Sequence, residues 1–138
     1  NTRLLAIVHD AMEETEQAAS ALRNLAGNLD RARGGSPDTA SAAREHAGAA
    51  FYQVIDERFP RWLASLDEAD PIRARDQWRR LLRSEAWTQQ EALASAVPDT
   101  AFAGRGEGKG RMDVGKALFF FRRALNAAVP APARQDAQ

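Results

Sequence analysis

The sequence contains no cysteine. That excludes a disulfide framework and thiolate chemistry. It has only two histidines, His9 and His46. A closed metal site wants three or four converging ligands, and the usual donors are in short supply. Lysine is nearly missing as well: only Lys109 and Lys116 occur, and every other cation is Arg. No apolar run approaches the ~18 residues that a membrane span needs. None is longer than the five residues from Ala117 to Phe121. No strand-like alternation of polar and apolar residues competes with helical periodicity. The chain lacks an initiating Met and starts in helical sequence, so it is read as an excised domain of a longer protein or as a processed one, and it is expected to be cytoplasmic.

What is present is helical periodicity and an uneven distribution of charge. The 138 residues suffice for one domain with its own core. Net charge is zero, yet residues 1–70 carry a net −5 and residues 71–138 a net +5. Two readings follow: pairing of an acidic with a basic half, or a basic face for a polyanion.

Four helices are predicted. The first spans about Thr2 to Arg33, with Val8, Met12, Thr15, Ala19, Leu22, Ala26 and Leu29 as a heptad-like seam. Glu13, Glu14 and Glu16 fall mostly off that seam. Gly34-Gly35 ends the helix, and Ser36-Pro37-Asp38 starts the next. The second runs from about Thr39 to Leu66, with an inward stripe from Ala43 through Phe51, Ile55 and Phe59 to Trp62 and Leu66. Pro60 should kink or break it near Asp56.

Asp70-Pro71 is a helix start, with Asp as N-cap and Pro in the first turn. This third helix reaches about Val97. Trp78, Leu81, Leu82 and Leu93 face one way, and Trp78 is expected to be deeply buried. Trp87 lies nine residues after Trp78, roughly 180° away on a straight helix. Either Trp87 faces a partner, or the helix restarts at the capping-box sequence Thr88-Gln-Gln-Glu91. Arg75, Arg79 and Arg83 recur at four-residue spacing. Asp76 can pair with Arg80, which leaves Arg79 and Arg83 as the freer cations and candidates for a nucleic-acid contact.

Residues 98–112 form a Gly-rich loop bearing Arg105, Lys109 and Arg111. It lacks the order of a phosphate-binding P-loop and follows no strand, yet its backbone and cations suit a phosphate chain. The plain alternative is a linker. The fourth helix runs from about Asp113 to Val129, with Val114, Ala117, Leu118, Phe121 and Leu125 inward. The consecutive rings Phe119-Phe120-Phe121 sweep roughly 200° of arc, so one core cannot take them all. Phe120 must face elsewhere, near Lys116 and Arg123: either another helix covers it or it touches a partner, as Trp87 also could. Residues 1–129 are expected to form the bundle domain, and 130–138 a disordered tail.

His9, Asp10 and Glu13 could share a metal, but two histidines are too few for that reading to weigh much. No nucleophile has a partnered base. No catalytic residue, metal or cofactor is therefore assigned, and no small-molecule substrate or membrane is expected.

The aromatic block Phe51-Tyr52, Phe59 and Trp62-Leu63, then Trp78 with Ala86, the Arg-bearing loop, and Ala117-Leu118-Phe121-Leu125 resembles the C-terminal four-helix bundle of the CasA family. CasA proteins are the large subunits of the type I-E CRISPR complex Cascade. The resemblance covers most of residues 39–127 and departs from the family's Phe-Trp pair at Phe51-Tyr52. It implies an all-α, antiparallel four-helix bundle with a Gly-rich basic loop before the last helix. It implies packing against other Cascade subunits and the CRISPR RNA–DNA complex, and a part in holding displaced single-stranded DNA. Arg105, Lys109, Arg111, Lys116, Arg122 and Arg123 are the positions that it singles out. PAM reading and nuclease docking belong to the family's larger N-terminal domain and are assigned to no residue here.

Overall fold

The computed structural model describes residues 2–66, 70–96 and 113–132. Within them the chain forms four α-helices: α1 (Thr2–Ala32), α2 (Pro37–Ser65), α3 (Pro71–Ser95) and α4 (Val114–Ala128). No strand occurs among the described residues. The all-α bundle is as the sequence predicts.

The helix ends follow from local chemistry. Gly34 adopts a positive φ of 92°, which a side chain would resist, and the Gly35 amide donates to the Asp30 carbonyl. Ser36 then caps α2 by accepting from the Thr39 amide. Asp70 caps α3 through the Ile72 amide, with Pro71 at the first helical position. Asp113 caps α4 through Gly115.

Cross-helix contacts show that neighbours run antiparallel. Between α1 and α2, Asp30 meets Thr39, Arg44 lies against Gly27, Arg23 lies against Gly48, and Glu16 meets Tyr52. Residue numbers fall on one helix as they rise on the other. Trp62 and Ala74, then Phe59 and Trp78, do the same for α2 and α3. Arg83 with Asn126, then Trp87 with Arg122, do so for α3 and α4.

α1 is the hub. It packs against all three other helices, whereas α2 and α4 share no comparable interface and α3 touches α4 only lightly. This corrects the expected seam. Ile7, Ala11, Ala18 and Leu25 are buried alongside Thr15, Ala19, Leu22, Ala26 and Leu29, while Met12 is 59 % exposed. A helix with neighbours on three sides buries a broad arc rather than a narrow stripe. Glu14, expected off the seam, is itself buried.

The aromatic residues of α2 and α3 stack on one another. Trp62 and Trp78 lie 5.0 Å apart between ring centroids, and Phe59 meets Trp78 edge-on at 5.5 Å. Trp78 is 1 % exposed. Its indole N–H donates to Thr15 Oγ1 at 3.1 Å, and that hydroxyl donates to the Ala11 carbonyl at 2.6 Å. The Trp62 N–H reaches the Ala74 carbonyl at 2.7 Å. Each buried donor is thereby satisfied.

α2 does not break at Pro60, and α3 does not restart at Thr88. α2 continues through Pro60 to Ser65. The flanking residues Asp56, Glu57 and Arg61 are exposed, so the carbonyl that loses its intrahelical donor lies on a wet stretch of helix. α3 is unbroken at Thr88, whose hydroxyl donates back to the Ser84 carbonyl instead of capping a new helix.

Candidate nucleic-acid interface

α4 carries no Asp or Glu between Val114 and Ala128, but it carries Lys116, Arg122 and Arg123. Helical spacing puts Lys116, Phe119, Phe120 and Arg123 on its outer side, opposite Val114, Ala117, Phe121 and Leu125. Both rings are open: Phe119 is 58 % and Phe120 43 % exposed, with centroids 5.8 Å apart in an edge-to-face pair. No helix of the described residues covers Phe120, which borders Asn24 and Asn28 of α1 and stays open. Phe119 was missed by sequence reasoning. Its signal was available, because in a run of three rings with Phe121 inward, both predecessors fall outside the buried arc.

Trp87 is 41 % exposed and faces α4, where the Arg122 guanidinium lies 5.1 Å over its ring. Its outward direction therefore comes from a straight α3 with α4 beside it, and no register shift is needed.

Two of the expected free cations are engaged internally. Arg79 forms a two-pronged ion pair with Glu14, at 2.8 Å from Nη2 and 3.0 Å from Nε. Hydrogen bonding to that carboxylate holds the guanidinium above its ordinary pKa range. Arg83 donates to the Val129 carbonyl and to Asn126 Oδ1. The sequence showed no acid four residues before either Arg, but the partners come from other helices, which spacing along α3 cannot reveal. Asp76 is buried and adds its charge to the Arg79 environment rather than closing an ion pair with Arg80. Arg105, Lys109 and Arg111 lie outside the described residues.

Among the described residues, ion pairs form both between the two halves and within one of them. Arg79–Glu14 joins the basic to the acidic half, whereas Arg23–Glu16 and Arg33–Asp30 stay within the acidic half. On that side, Tyr52 donates its hydroxyl to Glu16 beneath the Arg23 guanidinium. The Tyr52 bond, more than the nearby Arg23 charge, pulls the Glu16 carboxyl below its usual range, while burial and Glu16 push the Tyr52 phenol up. Beside them Met12, Ile55, Asp56 and Phe59 line a recess of about 230 Å³. His9 and His46 are exposed, and no cluster of three potential metal ligands occurs among the described residues. No described helix is long and apolar enough to cross a membrane.

A family model, CRISPR-associated protein Cse1, matches residues 1–89. The chain belongs to the Cse1 family. The match takes in α1, α2 and most of α3, including the Phe51-Tyr52, Trp62 and Trp78 core positions. It also covers α1, which the resemblance read from the sequence left out. It stops short of α4, so the basic and aromatic face of this Cse1-family chain is argued from its own geometry. No curated protein and no solved structure matches.

Proposed function

We propose that this Cse1-family bundle is a non-catalytic module of a Cascade large subunit. It packs on neighbouring subunits and helps to hold displaced single-stranded DNA along α4. One observation carries the reading: the outer face of α4 presents Lys116, Arg123, Phe119 and Phe120 on a helix without a carboxylate. Cations neutralise phosphates, and exposed rings offer stacking surfaces that any base can use. Arg105, Lys109 and Arg111 precede α4 in sequence and extend the basic character. The reading puts the subunit contact away from α4, at the α1–α2 recess, where Met12 is 59 % exposed.

The test is binding of a labelled single-stranded oligonucleotide across a salt series. Binding is expected to be weak, because net charge is zero, and indifferent to sequence. Changing Lys116 and Arg123 to Gln should flatten the salt slope by about 1.4, at ~0.7 per single-strand phosphate contact. Neutralising Arg105, Lys109 and Arg111 should flatten it by about two. Arg23, Arg31 and Arg33, on the acidic half, should matter much less. Absence of binding even at low salt would leave a protein-only scaffold as the reading.

A further inference from the structure

α3 and α4 meet along the thinnest of the helix interfaces, and a cleft of about 540 Å³ opens between them. That volume falls within the ~300–1,000 Å³ typical of small-ligand sites. Trp87, Arg122, Arg83, Ser84, Thr88 and Asn126 line it. Among the described residues no carboxylate does, in contrast to the α1–α2 recess with its Glu16 and Asp56. Among the three tryptophans only Trp87 offers its ring to solvent, since Trp62 is 7 % and Trp78 1 % exposed.

We infer that this cleft takes a single nucleotide, its base stacked on Trp87 and its phosphate held by Arg122. The Arg122 guanidinium now lies 5.1 Å over the indole. An exposed Arg–aromatic contact is the weaker interaction, and base–aromatic stacking the stronger. An entering base therefore displaces the guanidinium from the ring. Once displaced, the guanidinium stays within one side-chain length of the base and meets the attached phosphate as a forked donor. Arg83 has a different part. Its nitrogens already bond the Val129 carbonyl and Asn126 Oδ1, so it fixes the wall and adds positive field. Because Asn126 Oδ1 is taken by Arg83, its amide N–H groups remain to donate to a base edge or sugar. The inference rests on the nucleic-acid reading only for the source of the nucleotide, which there is one residue of the strand turned into the cleft. A free nucleotide has the same chemistry.

The test is to follow the indole N–H resonances of the chain by NMR. The N–H groups of Trp62 and Trp78 are buried on Ala74 and Thr15, so their two signals serve as internal references. Deoxyadenosine monophosphate and a short oligodeoxyadenylate should each shift the Trp87 signal alone, and saturably. Deoxyadenosine should bind more than about tenfold more weakly, the worth of one charge-assisted hydrogen bond. Trp87→Leu, which lacks the reporter and is therefore followed by titration calorimetry, should abolish binding of the mononucleotide. Arg122→Gln should erase most of the difference between nucleotide and nucleoside, and Gln53→Ala, on the exposed side of α2, should change neither. The inference is overturned if no probe moves the Trp87 signal, if inorganic phosphate moves it as far as the nucleotide does, or if all three indole signals move together. Its failure is separable from that of the broader reading. Salt-dependent oligonucleotide binding with a still Trp87 signal removes the cleft site alone. A nucleotide-induced shift without oligonucleotide binding at low salt removes the strand-holding role alone.

Discussion

Arg79 grips Glu14 through both Nε and Nη2, tying α3 to α1 at the level of the aromatic core. The side chains are 13 % and 11 % exposed, so little water is at hand to replace either partner. Removing one member of such a pair strands the other's charge. Glu14→Ala should cost about 2–4 kcal/mol in urea unfolding. Adding Arg79→Leu should restore part of that loss, because the stranded charge goes with it. A double mutant no better than the single would show that Arg79 finds water readily.

Thr15 is both acceptor for Trp78 and donor to Ala11. Thr15→Val preserves shape but leaves the Trp78 N–H without a partner in a site where the ring is 1 % exposed. The cost should be about 1–3 kcal/mol, whereas Thr15→Ser should lose less than about 1. Trp78→Ala empties the site and should cost about 3–5 kcal/mol. Thermal unfolding of the three variants tests the order.

Asp30 accepts from Thr39 Oγ1 and Arg33, and the Thr39 bond is the larger cause that lowers its pKa. A carboxyl whose folded pKa lies below its unfolded value of ~3.9 stabilises the fold fully above that value. As pH falls through the folded pKa, the contribution is lost. Unfolding free energies measured between pH 7 and pH 2 should therefore drop on the acid side. Asp30→Asn should be less stable at neutral pH and show a shallower decline.

Two glycines should respond with opposite signs. At Gly27 an added Cβ would meet the Arg44 guanidinium, the far end of a flexible side chain whose Nε has no partner. Arg44 can swing into water, and alanine is the better helix former, so Gly27→Ala should be neutral or stabilising by up to about 1 kcal/mol. Gly34 has φ 92°, and Gly34→Ala should cost roughly 1–2 kcal/mol. Denaturant midpoints for both variants decide the signs.

The helices were legible because their starts and stops are chemical: Asp70-Pro71, Ser36-Pro37 and Gly34 each act where spacing put them. Trp78 was legible for the same reason, as it sits in phase with Leu82. What the sequence could not show was which helix lies at the centre. A seam drawn through Met12 assumes one neighbour per face, and α1 has three. The same gap hid the partners of Arg79 and Arg83, which lie 65 and 43 positions away at Glu14 and Asn126. Apolar periodicity reports that a face is covered, and charge placement depends on what covers it. The outer face of α4 escaped that difficulty, since three successive rings cannot share one side of any helix.

The central place of α1 also sets how the molecule comes apart. α4 rests mainly on α1 and only lightly on α3, so it can lift away while the α1–α2–α3 core stays assembled. Its amides should exchange with solvent deuterium at a lower free energy than those of α1 near Leu22, which are released only by global unfolding. The helix that bears the basic, aromatic face is thus also the least anchored. A strand lying across α4 and the α3–α4 cleft would slow that exchange by binding alone, with no change in the rest of the fold.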